Sequence, residues 1–169
     1  MNIFFIDEDP VKAAYHQTDK HVVKMTLESA QLLSTCRRYY GDSSSCLYKS
    51  THINHPSNLW VRESLDNYLW LCHHFKALCD EYTFRYYKTH KCMQLLFKFG
   101  EPLEGIPNIG LTPIKLAMPE QYKVDDPIQS YRNYYLAEKI QNKYWTNRKK
   151  ADLDNWLSSQ LLDSQFKVK

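Results

Sequence analysis

His21, Lys24, Glu28 and Gln31 follow one another at spacings of three and four within a stretch free of Gly and Pro. On a helix those spacings set an imidazole, an amine, a carboxylate and an amide on one face. Such a set can move protons, and Lys20 or Lys24 adds an amine nucleophile. An ordinary solvated face with a Lys24–Glu28 pair has the same pattern, so spacing alone leaves both readings open.

A second group runs from Thr51 through His52, His55 and Asn58 to Arg62. A polar loop that enters a helix at Pro56 offers an anion the free amides of a first turn. His52, His55, Asn58 and Arg62 are therefore candidate contacts to phosphate or sugar. His52 and His55, joined by His16 or His21, have the donor type for a metal, but no Cys stands at compatible spacing. Neither a metal nor a cofactor is expected.

The third group is basic and aromatic: Tyr131, Arg132, Tyr134, Tyr135 and Lys139, continuing to Lys143, Tyr144, Trp145 and Arg148. Residues 131–150 hold six cations against Glu138 alone, in a chain whose net charge is only +3. A local basic face on a near-neutral body suits a polyanionic partner. Arg132 and Lys139 are candidate phosphate contacts, and Tyr131 and Tyr135 candidate stacking faces, although the core must claim about half of these aromatics. A solvated basic face explains the charges equally well. P-loop, dinucleotide-binding and zinc-protease motifs are absent, as is the nucleophile elbow of serine hydrolases.

The elements that must position these groups are legible from periodicity and punctuation. A chain of 169 residues, 43% hydrophobic and 24% charged, has the composition of one folded domain and is neither disordered nor fibrous. No apolar run approaches the length of a membrane span, and the acidic residues Asp7, Glu8 and Asp9 fit no export or transit signal. Five irregularly spaced Cys read as reduced thiols. Ile3 to Ile6 form an apolar anchor, and Asp9–Pro10 starts a helix. The stretch from Thr18 to Tyr40 is helical and stops at Gly41. Val61, Leu65, Tyr68, Cys72, Phe75, Cys79, Tyr82 and Tyr86 predict one face of a long helix beginning after Pro56. Gly100 to Asp126, punctuated by Gly and Pro, reads as a functional loop covering the site. Asp126–Pro127 opens a third main helix, with Gln129 placed to cap it reciprocally, and a short helix through Leu153, Trp156, Leu157 and Leu161 closes the core. The expected fold is a single all-α domain spanning residues 1–169, with three main helices, shorter ones and one long Pro/Gly-rich loop.

As a whole, the chain resembles a set of small proteins of T-even-like phages. The resemblance lies in IFFIDEDPVKAA at 3–14, in DKHVVKM and ESAQLLS at 19–34, in THINHP and WVRES between 51 and 64, and in AMPEQYKVDDP with YRNYY between 117 and 135. It implies a phage setting and the cytoplasm of the infected bacterial host. More distantly, Asp19-x-His21-x6-Glu28 is similar to the D-x-H-x6-E pattern of pyrimidine-dimer DNA glycosylases of the endonuclease V type. Tyr48 to Pro56 resembles the loop that follows it in bacterial members. That likeness implies an all-α DNA N-glycosylase with Glu28 as its catalytic acid, and His21 and Gln31 on the nucleic-acid side. The phage glycosylases attack the sugar with a free N-terminal amine, exposed when Met is removed before a small residue. Here Asn2 follows Met1, a poor context for removal, which leaves the Met1 amine, Lys20, Lys24 or no imine chemistry at all. Two other functions fit the same residues: binding or hydrolysis of free nucleotides, and non-catalytic binding of a host protein.

Overall fold

The computed structural model describes residues 1–141 and 143–169, and every regular element among them is helical. In chain order the α-helices are α1 (Pro10–Tyr15), α2 (Asp19–Tyr39), α3 (Pro56–Val61), α4 (Leu65–Tyr86), α5 (Leu96–Gly100), α6 (Pro127–Glu138) and α7 (Asn155–Ser158). The long helices α2 and α4 pack against each other, α1 lies along α4, and α3 fills the angle between α2 and α4.

The starts of α1 and α6 follow the chemistry expected of Asp–Pro. Asp9 accepts the amides of Val11 and Lys12, Asp126 accepts that of Ile128, and each proline occupies the first turn. Gln129 does not complete a reciprocal cap, because its amide turns to Asn133 instead. The α2 helix ends as its residues predict, with Gly41 beyond it at a φ of +91°, a region that costs glycine nothing.

One expectation needs correction. The helix after Pro56 is two helices, interrupted over residues 62–64. Ser64 leaves the helical conformation and its hydroxyl caps the amide of Asp66, while Tyr40 donates a hydrogen bond to the freed carbonyl of Arg62. The Leu65 amide is likewise taken up by the Pro107 carbonyl, so these partners offset part of the cost of the break. The last helix is also shorter than expected, a single turn at 155–158, although Leu153, Leu157 and Leu161 are all buried.

Residues 1–8 precede the helices as a non-helical thread through the core. Ile3, Phe4, Phe5 and Ile6 are all buried. Phe5 meets Trp60, Trp70 and Tyr131, with ring centroids 4.8, 4.9 and 5.4 Å away, whereas Phe4 packs on His21 and Tyr135 at 4.9 and 5.1 Å. Neighbouring side chains thus face opposite ways, and the thread is gripped from both sides.

A buried ionic cluster ties the chain's later part to α2 and α4. Arg85, fully buried, reaches Glu81 at 2.7 Å and Asp19 at 3.0 Å, and Arg148 makes a forked pair with Glu81 at 2.9 and 2.6 Å. Asp19 also accepts the amide and hydroxyl of Thr146. The Gly100–Asp126 segment is strapped to α3 and α4 through Pro107 to Thr112, and at Ala117 it lines the pocket that holds His21 and Glu28. Leu65 donates its amide to Pro107, the Ser64 hydroxyl bonds Gly110, and Asn67 exchanges bonds with Thr112.

Candidate active site

The helical stripe and the N-terminal thread meet at a pocket of about 260 Å³ lined by Met1, Asn2, Phe4, His21, Lys24, Met25, Glu28, Ala117, Tyr134 and Lys139. Its centre is Glu28. The side chain is only 11% exposed, its Oε2 accepts the Asn2 amide at 2.9 Å, and the same oxygen stands 3.7 Å from the amine of Met1. Lys24 reaches the other carboxylate oxygen at 3.4 Å from the solvent side. A largely buried carboxylate is therefore bracketed by two amines, one on the main chain and one on a flexible arm.

The amine is held in place by what surrounds the first two residues. The Met1 side chain is 3% exposed, so Met1's exposure is confined to its main chain. Its sulfur lies 3.7 Å from the Asn58 amide nitrogen, which also donates to the carbonyls of Thr51 and His52 at 2.9 Å each. The Asn2 side chain donates to Ala117 and accepts from the Ile3 amide and the Tyr131 hydroxyl. Four separate stretches of chain thereby converge on two residues.

His21 lies on the pocket wall with its Nδ1 2.8 Å from the Tyr135 hydroxyl and 3.1 Å from that of Thr18. Burial, and then the cations Lys139, Lys24 and Lys20, push its pKa down to about 3. It is a neutral imidazole at physiological pH. His55 is the N-cap of α3, its Nδ1 accepting the Ser57 amide, and its pKa is lowered by burial and by the charge of the chain's amine. His55 is half-buried and is not among the residues that line the pocket.

The other candidates divide. Lys139 lines the pocket, with its ammonium 4.5 Å above the Tyr134 ring, and Lys20 is exposed outside the lining. Gln31 is half-buried and outside the lining, and His52 is exposed, its ring bonded to Thr51. Arg62 lies over the Tyr39 ring at 4.5 Å, away from the pocket lining. Tyr131 and Tyr135 are fully buried, so neither has a face to stack on a base. Both act from behind, Tyr131 on Asn2 and Tyr135 on His21 and the Thr18 amide. Arg132 is likewise spent internally, on the Ile6 carbonyl and Asp7. Among the described residues, His52 and His55 join no cluster of metal-ligand type. The trio that does cluster is Asp7, His16 and Asp154, and Arg132 and the Asp154 amide already occupy Asp7 and His16.

Tyr134 is the aromatic that the pocket exposes, and it was not singled out by spacing. It falls one residue off the buried 131/135 register, so helical phase is the signal that distinguishes it.

An amine beside a shielded carboxylate, with a neutral imidazole and two lysines around them, brings a nucleophile and proton-transfer groups together in one pocket. Residues 1–95, more than half of the chain, match the family model described as pyrimidine dimer DNA glycosylase, and the chain belongs to that family. Its function is accordingly DNA-glycosylase-like. No curated protein and no solved structure matches the chain.

Proposed function

We propose that this protein is a DNA N-glycosylase that excises a damaged or modified base through an imine on its N-terminal amine, with Glu28 as the proton-transferring carboxylate. The observation that carries this reading is the 3.7 Å approach of the Met1 amine to the shielded Glu28 carboxylate.

The chemistry balances with these two groups alone. The ammonium passes one proton to Glu28, and the nitrogen lone pair then bonds to C1′ of the deoxyribose. The C1′–base bond breaks, its electron pair leaves with the base, and the base takes a second amine proton. The nitrogen lone pair next opens the sugar ring, and Glu28 returns its proton to O4′. The result is a protonated imine at C1′ with one hydrogen left on nitrogen. A neutral His21 fits a hydrogen-bonding role beside the sugar, and Lys24 and Lys139 suit the flanking phosphates. The duplex must deliver its target out of the stack, because the carboxylate is recessed.

Borohydride trapping on duplexes carrying ultraviolet photoproducts, abasic sites or modified bases tests the proposal. A covalent adduct, with base released from one damaged duplex, is expected. In Glu28→Gln both should fall by about 10²–10⁴-fold. Neither adduct nor released base on any duplex would sink it. Binding of free nucleotide without duplex would then become the better account, and its weak salt dependence would identify it.

A further inference from the structure

We infer that the reacting amine belongs to Met1 itself, retained in the working enzyme, and that the Met1 side chain is the anchor that aims it. This rests on the imine chemistry proposed above and goes beyond it, since an N-terminal amine at Glu28 could equally be that of residue 2 after removal of Met1.

Three observations separate the two. The Met1 side chain fills a slot, 3% exposed, with its sulfur on the Asn58 amide; the Asn58 side chain is itself 1% exposed and is tied to the loop at Thr51 and His52. An anchored side chain fixes the Cα and hence the direction of the nitrogen, as a reacting group requires. Asn2, in contrast, already works as an internal residue. Its amide N–H holds Glu28 Oε2 at 2.9 Å, and all its side-chain bonds go to Ala117, Ile3 and Tyr131. The carboxylate is thus oriented by the peptide group between residues 1 and 2, a group that vanishes if Met1 is removed. Finally, enzymes that remove an initiator Met accept small second residues, and Asn is not one. The geometry and the processing chemistry point the same way.

The test uses full-length protein with defined N-termini, made by exact cleavage of an N-terminal fusion: one form beginning at Met1, one at Asn2, one with Met1→Gly, and one with a Gly placed before Met1. Each is offered an abasic-site duplex with borohydride, and each is offered ultraviolet-irradiated duplex for base release. Circular dichroism melts verify folding. Intact mass of the unfused protein is expected to include Met1, and the trapped peptide to begin with modified Met1. Trapping by the Asn2 form, the Met1→Gly form and the Gly-extended form should each fall at least tenfold below the Met1 form. An unfused protein that begins at Asn2 overturns the inference, as does equal trapping by the Asn2 form or an adduct mapped to a lysine. In the first two cases the proposed function stands unchanged, whereas a lysine adduct keeps the glycosylase and moves its imine off the N-terminal amine. If no form traps and none releases base, the proposed function falls together with this inference.

Discussion

At the scale of single residues, burial decides the charge state of two histidines, His21 on the pocket wall and His74 in the core. His21 and His74 are held down to about 3 and about 4, in both cases first by burial. In an unfolded chain both titrate near 6.5. Between that value and the folded one, the unfolded state binds more protons, so folding stability declines as pH falls. The slope should approach about 1.4 kcal/mol per pH unit for each histidine. Urea midpoints at pH 7, 6 and 5 measure it, and His21→Asn should flatten the dependence; an unchanged slope would mean that His21 is not buried in the neutral form. The same state predicts that catalysis carries no inflection from His21 between pH 5 and 8. Tyr134 allows a sharper test, because it is the half-exposed ring of the pocket. Tyr134→Ala should weaken duplex binding by about 1–3 kcal/mol, with Tyr134→Phe retaining most of it, if the ring stacks on a base.

Among the elements, stability concentrates where helices are tied rather than where they are regular. The Arg85 cluster joins the start of α2, the end of α4 and the strand of chain at 144–148. Arg85→Ala leaves Glu81 and Asp19 partly unpaired in a buried place and should cost about 3–5 kcal/mol, read from denaturant unfolding. Asp126→Ala, which removes the cap of α6, should cost about 1 kcal/mol. Caps and ends of this kind are legible in the sequence because one side chain and one proline make them. The interruption at 62–64 is not, since the apolar 3-4 spacing runs from Val61 to Leu65 without a fault, and the cause is Ser64 and a distant Tyr40 hydroxyl. The stripe of His21, Lys24 and Glu28 was equally plain, and the structure keeps all three in one pocket. What covers that stripe was not, because Tyr131 and Tyr135 come to it from more than a hundred residues away along the chain, and the non-helical thread meets it through Asn2 and Phe4.

For the whole molecule, the basic segment is smaller as a binding face than its composition implies. Arg132 and Arg148 are held by Asp7 and Glu81, whereas Lys24 and Lys139, each beside one carboxylate, line the pocket, and Lys20 is exposed one turn before Lys24. Duplex affinity should therefore fall with salt at a log–log slope of about −3. Each lysine replaced by Gln should lower the slope by about one, and a fluorescence anisotropy titration between 50 and 200 mM salt measures this directly. Replacement of Arg148 should alter stability and leave the slope alone. The family match ends at residue 95, yet Ala117, Tyr134 and Lys139 lie beyond it on the pocket wall. Part of the site's wall is thus supplied by the later half of the chain.

The seating of Met1 and Asn2 also has a consequence in time. Asn2 is clasped by Tyr131 and Ala117, which are made more than a hundred residues later. Loops of that length close late, because their entropy must be overcome before any contact rewards it. During synthesis the end that carries the proposed nucleophile consequently stays open to whatever enzymes trim or acylate a nascent terminus, until the later helices close over it.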